Sequence, residues 1–505
     1  MLQLELIADF IRTLLTPVRE YLLLVVPALN EWAASIPALT LVIFALIVLL
    51  WNDRRGVLGV SMVGVFLTAF NMVLFDSGTF PSSFGGLFIR DSFADFFIWI
   101  ILIVGILVLM SATLYGGERS SYNFLLLMSF AGAIWVVMAT DLVALFLAWE
   151  LMSTPTYVLV ALGPYRGSVD GATKYFVMGL LSTMVMIFGI ALVIGVTGTT
   201  ALSGPDSVAS AVEAIWASTT PGPEAYSLLL SMVMFVIAFG FKVGIFPGWM
   251  WVPDAYSTAD GSVTGYLAGA TKKTGVSALM RILMVGFFVA RMEWMLLIVV
   301  VSLLTMVIGN ILALAERNIM RMLAYSSIVM MGFVFVGVAA GTQLGAAAAM
   351  FHAFTHALMK TGAFILIWAL SVRLAKEITY DDLAGLSQRA PTAAALFAVL
   401  IFALAGGPLT VGFWSKWILL PQSAVEAGLW WFAFLALLNS VFSLGYYLRV
   451  LRYMYMMDPV DSSEIKLAKI PLLAVGLCAI AIVGLFVFPG IILDYAFEGA
   501  IALIP

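Results

Sequence analysis

Apolar stretches of membrane length follow one another along almost the whole chain, with short polar connections between them. A helix needs about 20 apolar residues to cross the hydrocarbon core of a bilayer. The pattern therefore predicts an all-α integral membrane protein with about fourteen transmembrane helices. The predicted helices cover residues 35–51, 56–75, 91–113, 121–139, 141–161, 171–197, 226–246, 262–287, 294–315, 319–340, 344–372, 392–422, 429–457 and 467–489.

Composition excludes a soluble fold and limits the chemistry of the chain. Of its 505 residues, 63% are hydrophobic and 10% are charged, whereas soluble domains carry about 25% charged residues. The net charge of -4 gives no reason to expect a nucleic-acid partner. The chain has one cysteine, Cys478, and two histidines, so we expect no iron–sulfur cluster, haem or other cofactor within it.

Residues 1–34 are predicted to form an extra amphipathic or spanning helix ahead of the core. Glu5 and Asp9 precede any positive charge, and no clean small-residue cleavage pattern follows. This segment therefore does not have the features of a signal peptide.

The lysines and arginines of the loops fall mainly on one side when the predicted helices alternate in direction. Short cytoplasmic loops carry an excess of these residues, so we expect this basic side to be cytoplasmic and the protein to be multi-pass in the cell (inner) membrane. The opposite side has Arg90, Arg291 and the acidic connection 198–225. The basic side holds Arg54, Arg55, Arg119, Arg166, Arg317, Arg321, Arg373, Lys376, Arg389, Arg452, Lys466 and Lys469.

Two predicted helices, the seventh and the twelfth, are interrupted by glycines and a proline beside a lysine. These segments are 238–249, with Lys242, and 403–416, with Lys416. Irregular backbone at membrane depth is tolerated only inside protein or beside water, and matched interrupted helices indicate repeated transporter halves. We therefore predict inverted five-helix repeats at 121–290 and 291–458, preceded by helices 1–3 in 35–120 and followed by a C-terminal helix in 459–505.

Glu150 and Lys242 are ionisable residues within predicted membrane spans. A charge at the bilayer centre costs at least about 2.5–3.5 kcal/mol, so such residues are usually functional. Burial drives a lysine towards neutrality and a nearby carboxylate holds it charged, so a Glu–Lys pair of variable separation would switch lysine protonation. The alternative is a purely structural ion pair.

Two further groups of ionisable residues lie in later helices. Lys272 and Lys273 are adjacent and point about 100° apart on an α-helix, so at most one should face a given pathway and the other should snorkel or have a structural role. His352, His356 and Lys360 form an i, i+4, i+8 row on one helix face. This row suits a proton relay ending at Lys416. An interhelical hydrogen-bond clamp is the alternative, and a metal site is disfavoured because no third ligand is evident.

Several motifs resemble subunit N of respiratory complex I, over about 90% of the chain. The wider family includes the Mrp-type cation/proton antiporters, the membrane-bound hydrogenases and the archaeal F420H2 dehydrogenases. The motifs are Ala148-Trp-Glu-Leu-Met-Ser-Thr-Pro-Thr-Tyr157, Ala172-Thr-Lys-Tyr-Phe176, Phe241-Lys-Val-Gly-Ile-Phe-Pro-Gly-Trp249, Trp251-Val-Pro-Asp-Ala-Tyr256, Arg321-Met-Leu-Ala-Tyr-Ser-Ser327 and Gly407-Pro-Leu-Thr-Val-Gly-Phe-Trp-Ser-Lys416.

The resemblance implies fourteen helices in two inverted five-helix repeats, with proton translocation through a glutamate on the fifth helix and lysines on the seventh, eighth and twelfth. These match Glu150, Lys242, Lys272 or Lys273, and Lys416. Alignment to subunit N favours Lys272 and alignment to its sister subunits favours Lys273. The segment 351–361, with both histidines and Lys360, is closer to the sister subunits than to bacterial subunit N.

We therefore expect a proton-translocating membrane-arm subunit of a redox-driven pump that oxidises NADH or F420H2 and reduces a quinone or phenazine. Flavin, iron–sulfur clusters and quinone would bind in partner subunits, and no redox active site would lie in this chain. The expected partners are other antiporter-like subunits, small membrane subunits and lipids. The alternatives are a subunit of a Mrp-type Na+/H+ antiporter or membrane-bound hydrogenase-type complex, and a structural membrane subunit without transport.

Overall fold

A computed structural model describes residues 29–51, 56–75, 81–218, 222–459 and 461–504, together with the single positions 13, 16, 17, 20 and 78. Most of the predicted N-terminal helix in 1–34 lies outside the described residues. So do Arg54 and Arg55 of the basic side.

Within these ranges the chain is predominantly helical, and twelve helices are long and apolar enough to cross a membrane. We number the main helical segments in chain order. They are α1 (Ile36–Leu50), α2 (Gly56–Leu74), α3 (Ser92–Ser111), α4 (Arg119–Met138), α5 (Leu142–Ala161), α6 (Ser168–Thr197), α7 (Pro223–Val243), α8 (261–286), α9 (Arg291–Ala315), α10 (Ile319–Ala340), α11 (Gln343–Leu374), α12 (Pro391–Ala405, then 411–426), α13 (Trp430–Met456), α14 (Lys469–Val487) and α15 (Gly490–Leu503).

The twelve membrane-length helices are α1–α7, α9–α11, α13 and α14. The segments α8 and α12 correspond to the other two predicted helices, but neither is a continuous α-helix. Within α8, π-helical turns occupy Leu267–Thr271 and Ile282–Gly286. The integral membrane fold is confirmed, while the count of fourteen spans and the inverted repeats stay predictions.

The two predicted interruptions are present, and each follows a glycine in the left-handed region. The last α-helical residue of α7 is Val243, and Gly244 has φ +75°. The first half of α12 ends at Ala405, and Gly406 has φ +82°. Left-handed backbone favours glycine because other residues place Cβ against the following carbonyl. The segment after α7 forms the short helix Trp251–Thr258.

Loop contacts hold the helix ends on two sides of the molecule. On the basic side, Tyr165 hydrogen-bonds to Ser371, and Asn318 donates to Glu377. On the opposite side Asp141 pairs with Ala201 in a β-bridge. The ribbon of Ser82–Ser83 and Phe88–Ile89 also lies there, because it connects α2 to α3.

The centre of the molecule is formed by α10 and α11. Every residue of α10 except Arg321 is buried, because the helix packs against α9, α11, the 251–258 helix and the second half of α12. In α11 the buried stretch includes both histidines and Lys360. His352, His356 and Lys360 are therefore enclosed by protein and do not face lipid.

Candidate functional site

Lys242 is fully buried at the end of α7, where its ammonium group contacts α5 and α6. Its Nζ donates to Thr156 Oγ1 at 3.2 Å and to the Tyr175 hydroxyl. The Tyr175 and Tyr157 ring centroids lie 4.8 Å and 5.4 Å from Nζ. Hydroxyl oxygens and aromatic faces thus replace part of the hydration that burial removes.

Glu150 lies near this group without bonding to it. Its Oε1 accepts a hydrogen bond from Thr183 Oγ1 at 2.7 Å. Glu150 is close enough to act electrostatically on Lys242. Its carboxylate is not within 4.0 Å of Nζ, since no such ion pair occurs in the part of the chain that the structure describes. The expected Glu–Lys pair is therefore held in a separated arrangement.

The side chain of Lys272 lies next to Gly244, the residue at which α7 is interrupted. A Cβ on Gly244 would lie 3.1 Å from Lys272 Nζ, and that Nζ is 5.2 Å from the Tyr256 ring centroid. Nζ is buried and has no hydrogen-bond partner in the structure. An amine in this setting needs a neutral form or a water molecule to meet its hydrogen-bonding capacity.

Lys273 points away from Lys272 and begins a row of contacts that crosses the centre. Its Nζ bonds to the Ala268 carbonyl and lies 2.6 Å from His356 Nδ1. The His356 and His352 rings are stacked with centroids 6.2 Å apart. His352 Nδ1 is 2.9 Å from Ser415 Oγ.

Lys416 is the residue after Ser415 in the second half of α12, and it lies at the other end of this row. Its Nζ donates to the Leu404 carbonyl at 3.3 Å and to Ser443 Oγ at 3.4 Å. It also lies 4.8 Å from the Phe333 ring centroid. The row therefore joins α8, α11 and α12 through side chains that are all buried.

Lys360 does not extend the histidine row as its spacing suggests. Its Nζ donates to the Leu323 carbonyl at 2.9 Å and to Ser326 on α10. The stripe His352, His356, Lys360 thus branches. The histidines connect Lys273 to Ser415, and Lys360 turns towards α10.

The hydroxyl partners of Glu150, His352 and the lysines were not identified from the sequence. Thr156, Tyr175, Thr183, Ser326 and Ser415 carry no charge and look unexceptional in apolar segments. A usable signal exists for four of them. Thr156, Tyr175 and Ser326 occur in the motifs quoted above, and Ser415 adjoins Lys416.

A cleft on the basic side leads towards Lys242. It has a volume of about 380 Å³ and is lined by Lys174, Trp251 and Asp254, among others. Asp254 accepts from Lys174 at 2.7 Å and from Arg321 at 2.8 Å. Burial alone would raise the pKa of Asp254, but these hydrogen bonds hold it below its ordinary value.

One aromatic stack separates this cleft from the buried lysine. The Trp251 and Tyr175 rings lie parallel, with centroids 4.0 Å apart and planes at 13°. Trp251 is anchored by its Nε1–H, which donates to the Phe241 carbonyl at 2.8 Å. Since Lys242 bonds to the Tyr175 hydroxyl, the path from cleft to lysine passes two side chains.

Sequence and structure comparisons place the chain among known proteins. The family described as NADH:quinone oxidoreductase/Mrp antiporter, TM, matches residues 139–443. The chain is 31% identical to the F(420)H(2) dehydrogenase subunit N of Methanosarcina mazei, over 93% of this chain and 98% of that protein. It is 36% identical to the NADH-quinone oxidoreductase subunit N of Trichlorobacter lovleyi, over 80% of this chain and 82% of that one.

A solved structure has the same fold. The match is a chain of respiratory complex I from Thermus thermophilus, with a TM-score of 0.75 and 25% sequence identity. It covers 91% of this chain and 99% of the other.

Proposed function

Because the chain belongs to the NADH:quinone oxidoreductase/Mrp antiporter transmembrane family, we propose that it is the proton-translocating, subunit N-like component of a complex I-type redox pump. The observation that carries the proposal is the set of buried amines and imidazoles on α7, α8, α11 and α12, in which Lys273 contacts His356 and His352 contacts Ser415 beside Lys416. Five lysine amines at 0–1% exposure cannot all be charged together, because each positive charge disfavours the next. Proton movement among them is the simplest use of such a set.

The separated Glu150 and Lys242 form the switch of this mechanism. When the carboxylate approaches Nζ, it stabilises the ammonium form. When Glu150 is held by Thr183 as described above, this stabilisation of Lys242 is weaker and its proton can pass on. Tyr175 and Thr156 keep the amine in place during both states. Water reaching the cleft beside Trp251 would supply the proton.

Lys272 and Lys273 have separate positions along the relay. Lys272, beside Gly244, is placed to receive a proton from the region of Lys242. Lys273, in contact with His356, is placed to give one to the histidines. We therefore assign both lysines to the pathway, with Lys416 as the group that hands the proton to the outer side. Lys360 lies off this path, on the side of α10, and its protonation state changes the net charge near the histidines.

The remaining parts of the proposal follow from the named relatives. The NADH- or F420H2-oxidising flavin, the iron–sulfur clusters and the quinone or phenazine site would belong to other subunits, and antiporter-like and small membrane subunits would adjoin this chain. The basic loops would face the cytoplasm. A Mrp-type Na+/H+ antiporter subunit is the second candidate, because the matched family includes those proteins.

The test is proton pumping by the assembled complex in proteoliposomes, with electron transfer measured separately. We expect Lys242→Ala or Glu150→Ala to abolish pumping while the complex still assembles. Lys469→Ala is the matched control, since Lys469 is exposed at the basic end of α14. Undiminished proton flux in the Lys242 or Glu150 variant would refute the switch.

The same vesicles separate the two candidate functions. A redox-driven pump acidifies the vesicle lumen only when electron donor and acceptor are both supplied. A Mrp-type antiporter instead moves protons in response to a sodium gradient without any redox substrate.

A further inference from the structure

An apolar groove of about 990 Å³ runs along the membrane-facing surface between the first half of α12 and the last part of α13. Phe402 of α12 and Leu448 of α13 line it and are 38% and 48% exposed. Its volume is in the range of cavities that hold organic ligands. The groove is therefore large and apolar enough to bind an apolar molecule at the protein surface.

The length of the groove matches one leaflet of a bilayer. Along α13 it extends from Gly445 to Met456, which is about 16 Å at 1.5 Å per residue. Half of the hydrocarbon core is about 15 Å thick. An acyl chain lying in this groove would thus run from the membrane centre, near Phe402, to the interface.

Two arginines, Arg449 and Arg452, line the groove about one and two turns along α13 from Gly445, towards the basic side of the molecule. The Arg449 guanidinium lies 4.1 Å from the Tyr380 ring centroid. Among the described residues neither arginine has a carboxylate within ion-pair distance. Their positive charge is left for a ligand outside the chain.

We propose that this groove binds one anionic phospholipid, with an acyl chain along Phe402 and Gly445 and the phosphate against Arg449 and Arg452. Guanidinium groups form strong paired hydrogen bonds to phosphate, and basic pockets between transmembrane helices suit anionic head groups. A neighbouring protein helix would have to place a carboxylate opposite these guanidinium groups to balance their charge. The lipid carries its negative charge there already.

The experiment uses the assembled complex in phosphatidylcholine vesicles that contain a trace of photoreactive phosphatidylglycerol. Labelled peptides from this chain are identified by mass spectrometry. We expect labelling of the 398–402 and 445–456 segments. Unlabelled phosphatidylglycerol should compete at least tenfold more effectively than phosphatidylcholine with the same acyl chains.

Two kinds of variant test the contacts with the head group and the contacts with the acyl chain separately. The double variant R449Q/R452Q should reduce groove labelling about tenfold or more, and R449K/R452K should retain most of it. Arg373→Gln, an exposed arginine on the same side, is the matched control and should change nothing. Ala398→Trp should block labelling with both arginines present. Assembly of each variant is checked by size-exclusion chromatography.

Three results would overturn the proposal. The first is equal competition by phosphatidylcholine, which would mean that charge plays no part. The second is unchanged labelling in R449Q/R452Q. The third is a photo-crosslink to another subunit from Ala398→Cys labelled with a benzophenone maleimide, which would show that a protein helix fills the groove.

Discussion

At the scale of single residues, Arg281 shows how burial changes the role of a charged side chain near a helix end. Arg281 lies near the end of the predicted helix 262–287, a position at which an arginine usually anchors the helix at the membrane interface. The structure instead buries its side chain in an ion pair. Both terminal nitrogens bond to Asp91, at 2.8 Å and 2.9 Å. Burial alone would raise the pKa of Asp91, but Arg281 holds it below its ordinary value. Asp91 also caps α3.

We predict that Asp91→Ala destabilises the protein by about 3 kcal/mol or more, because it leaves a buried guanidinium unpaired. The measurement is the thermal unfolding midpoint in detergent. Lys466→Gln is the control, since the Lys466–Glu464 pair is 77% and 68% exposed and should contribute little. Equal midpoints for Asp91→Ala and the wild type would contradict the structural role.

The Tyr175 hydroxyl gives a second prediction at this scale. Tyr175→Phe keeps the stack on Trp251 but removes the oxygen that accepts from Lys242. We expect proton pumping to fall several-fold while the thermal midpoint changes little. Tyr157→Phe is the comparison, because that ring faces Lys242 while no hydrogen bond joins its hydroxyl to the amine in the described residues. Similar losses in both variants would argue against a specific role for the Tyr175 oxygen.

At the scale of elements, the long helices were predictable because lipid requires about 20 apolar residues per span. Predicted ranges such as 319–340 and 141–161 agree with α10 and α5 to within a residue. The short helices Val208–Trp216, Trp251–Thr258 and α15 were missed, since none of them reaches the length that the membrane imposes. A search for apolar stretches of membrane length therefore passes over them.

Side-chain directions within α8 were not predictable from spacing. The 100° rule separates Lys272 from Lys273 but does not say which one meets the histidines. The π-helical turn Leu267–Thr271 precedes both lysines and changes the phase of the helix. The separation of Glu150 from Lys242 could not be predicted from the sequence either, because it depends on hydrogen bonds to Thr183 and Tyr175 of α6.

Gly244 links the interruption of α7 to Lys272, and this contact can be tested. Gly244→Ala forces alanine into the left-handed region, at a cost of about 1–2 kcal/mol, and brings Cβ within 3.1 Å of Lys272 Nζ. We expect lower stability and reduced pumping.

Gly198→Ala is the matched control for this variant. Gly198 has φ +71° but no atom within 4 Å of its would-be Cβ. It should keep its pumping activity and lose less stability, because the Cβ of Gly244→Ala would also lie 2.8 Å from Val252 Cγ2. Parallel losses of pumping in the two variants would show that backbone strain alone is responsible.

At the scale of the whole molecule, the two sets of loop contacts fix which connections share a side. The single cysteine, Cys478, is buried, so introduced cysteines can be labelled selectively. We predict that a membrane-impermeant maleimide added to the outside of intact cells labels Ala217→Cys on this chain. Arg373→Cys should react only after permeabilisation, since its side is predicted to be cytoplasmic. The reverse pattern would invert the proposed orientation.

The enclosure of α10 has a consequence for how the protein is made. In the finished fold this helix touches almost no lipid, so packing alone would accept a more polar sequence. During synthesis, however, each segment must partition into the bilayer before its later neighbours exist, and α11 and α12 are translated after α10. The apolar side chains of α10 therefore serve biogenesis, and a polar replacement there would impair insertion before it affected the folded protein.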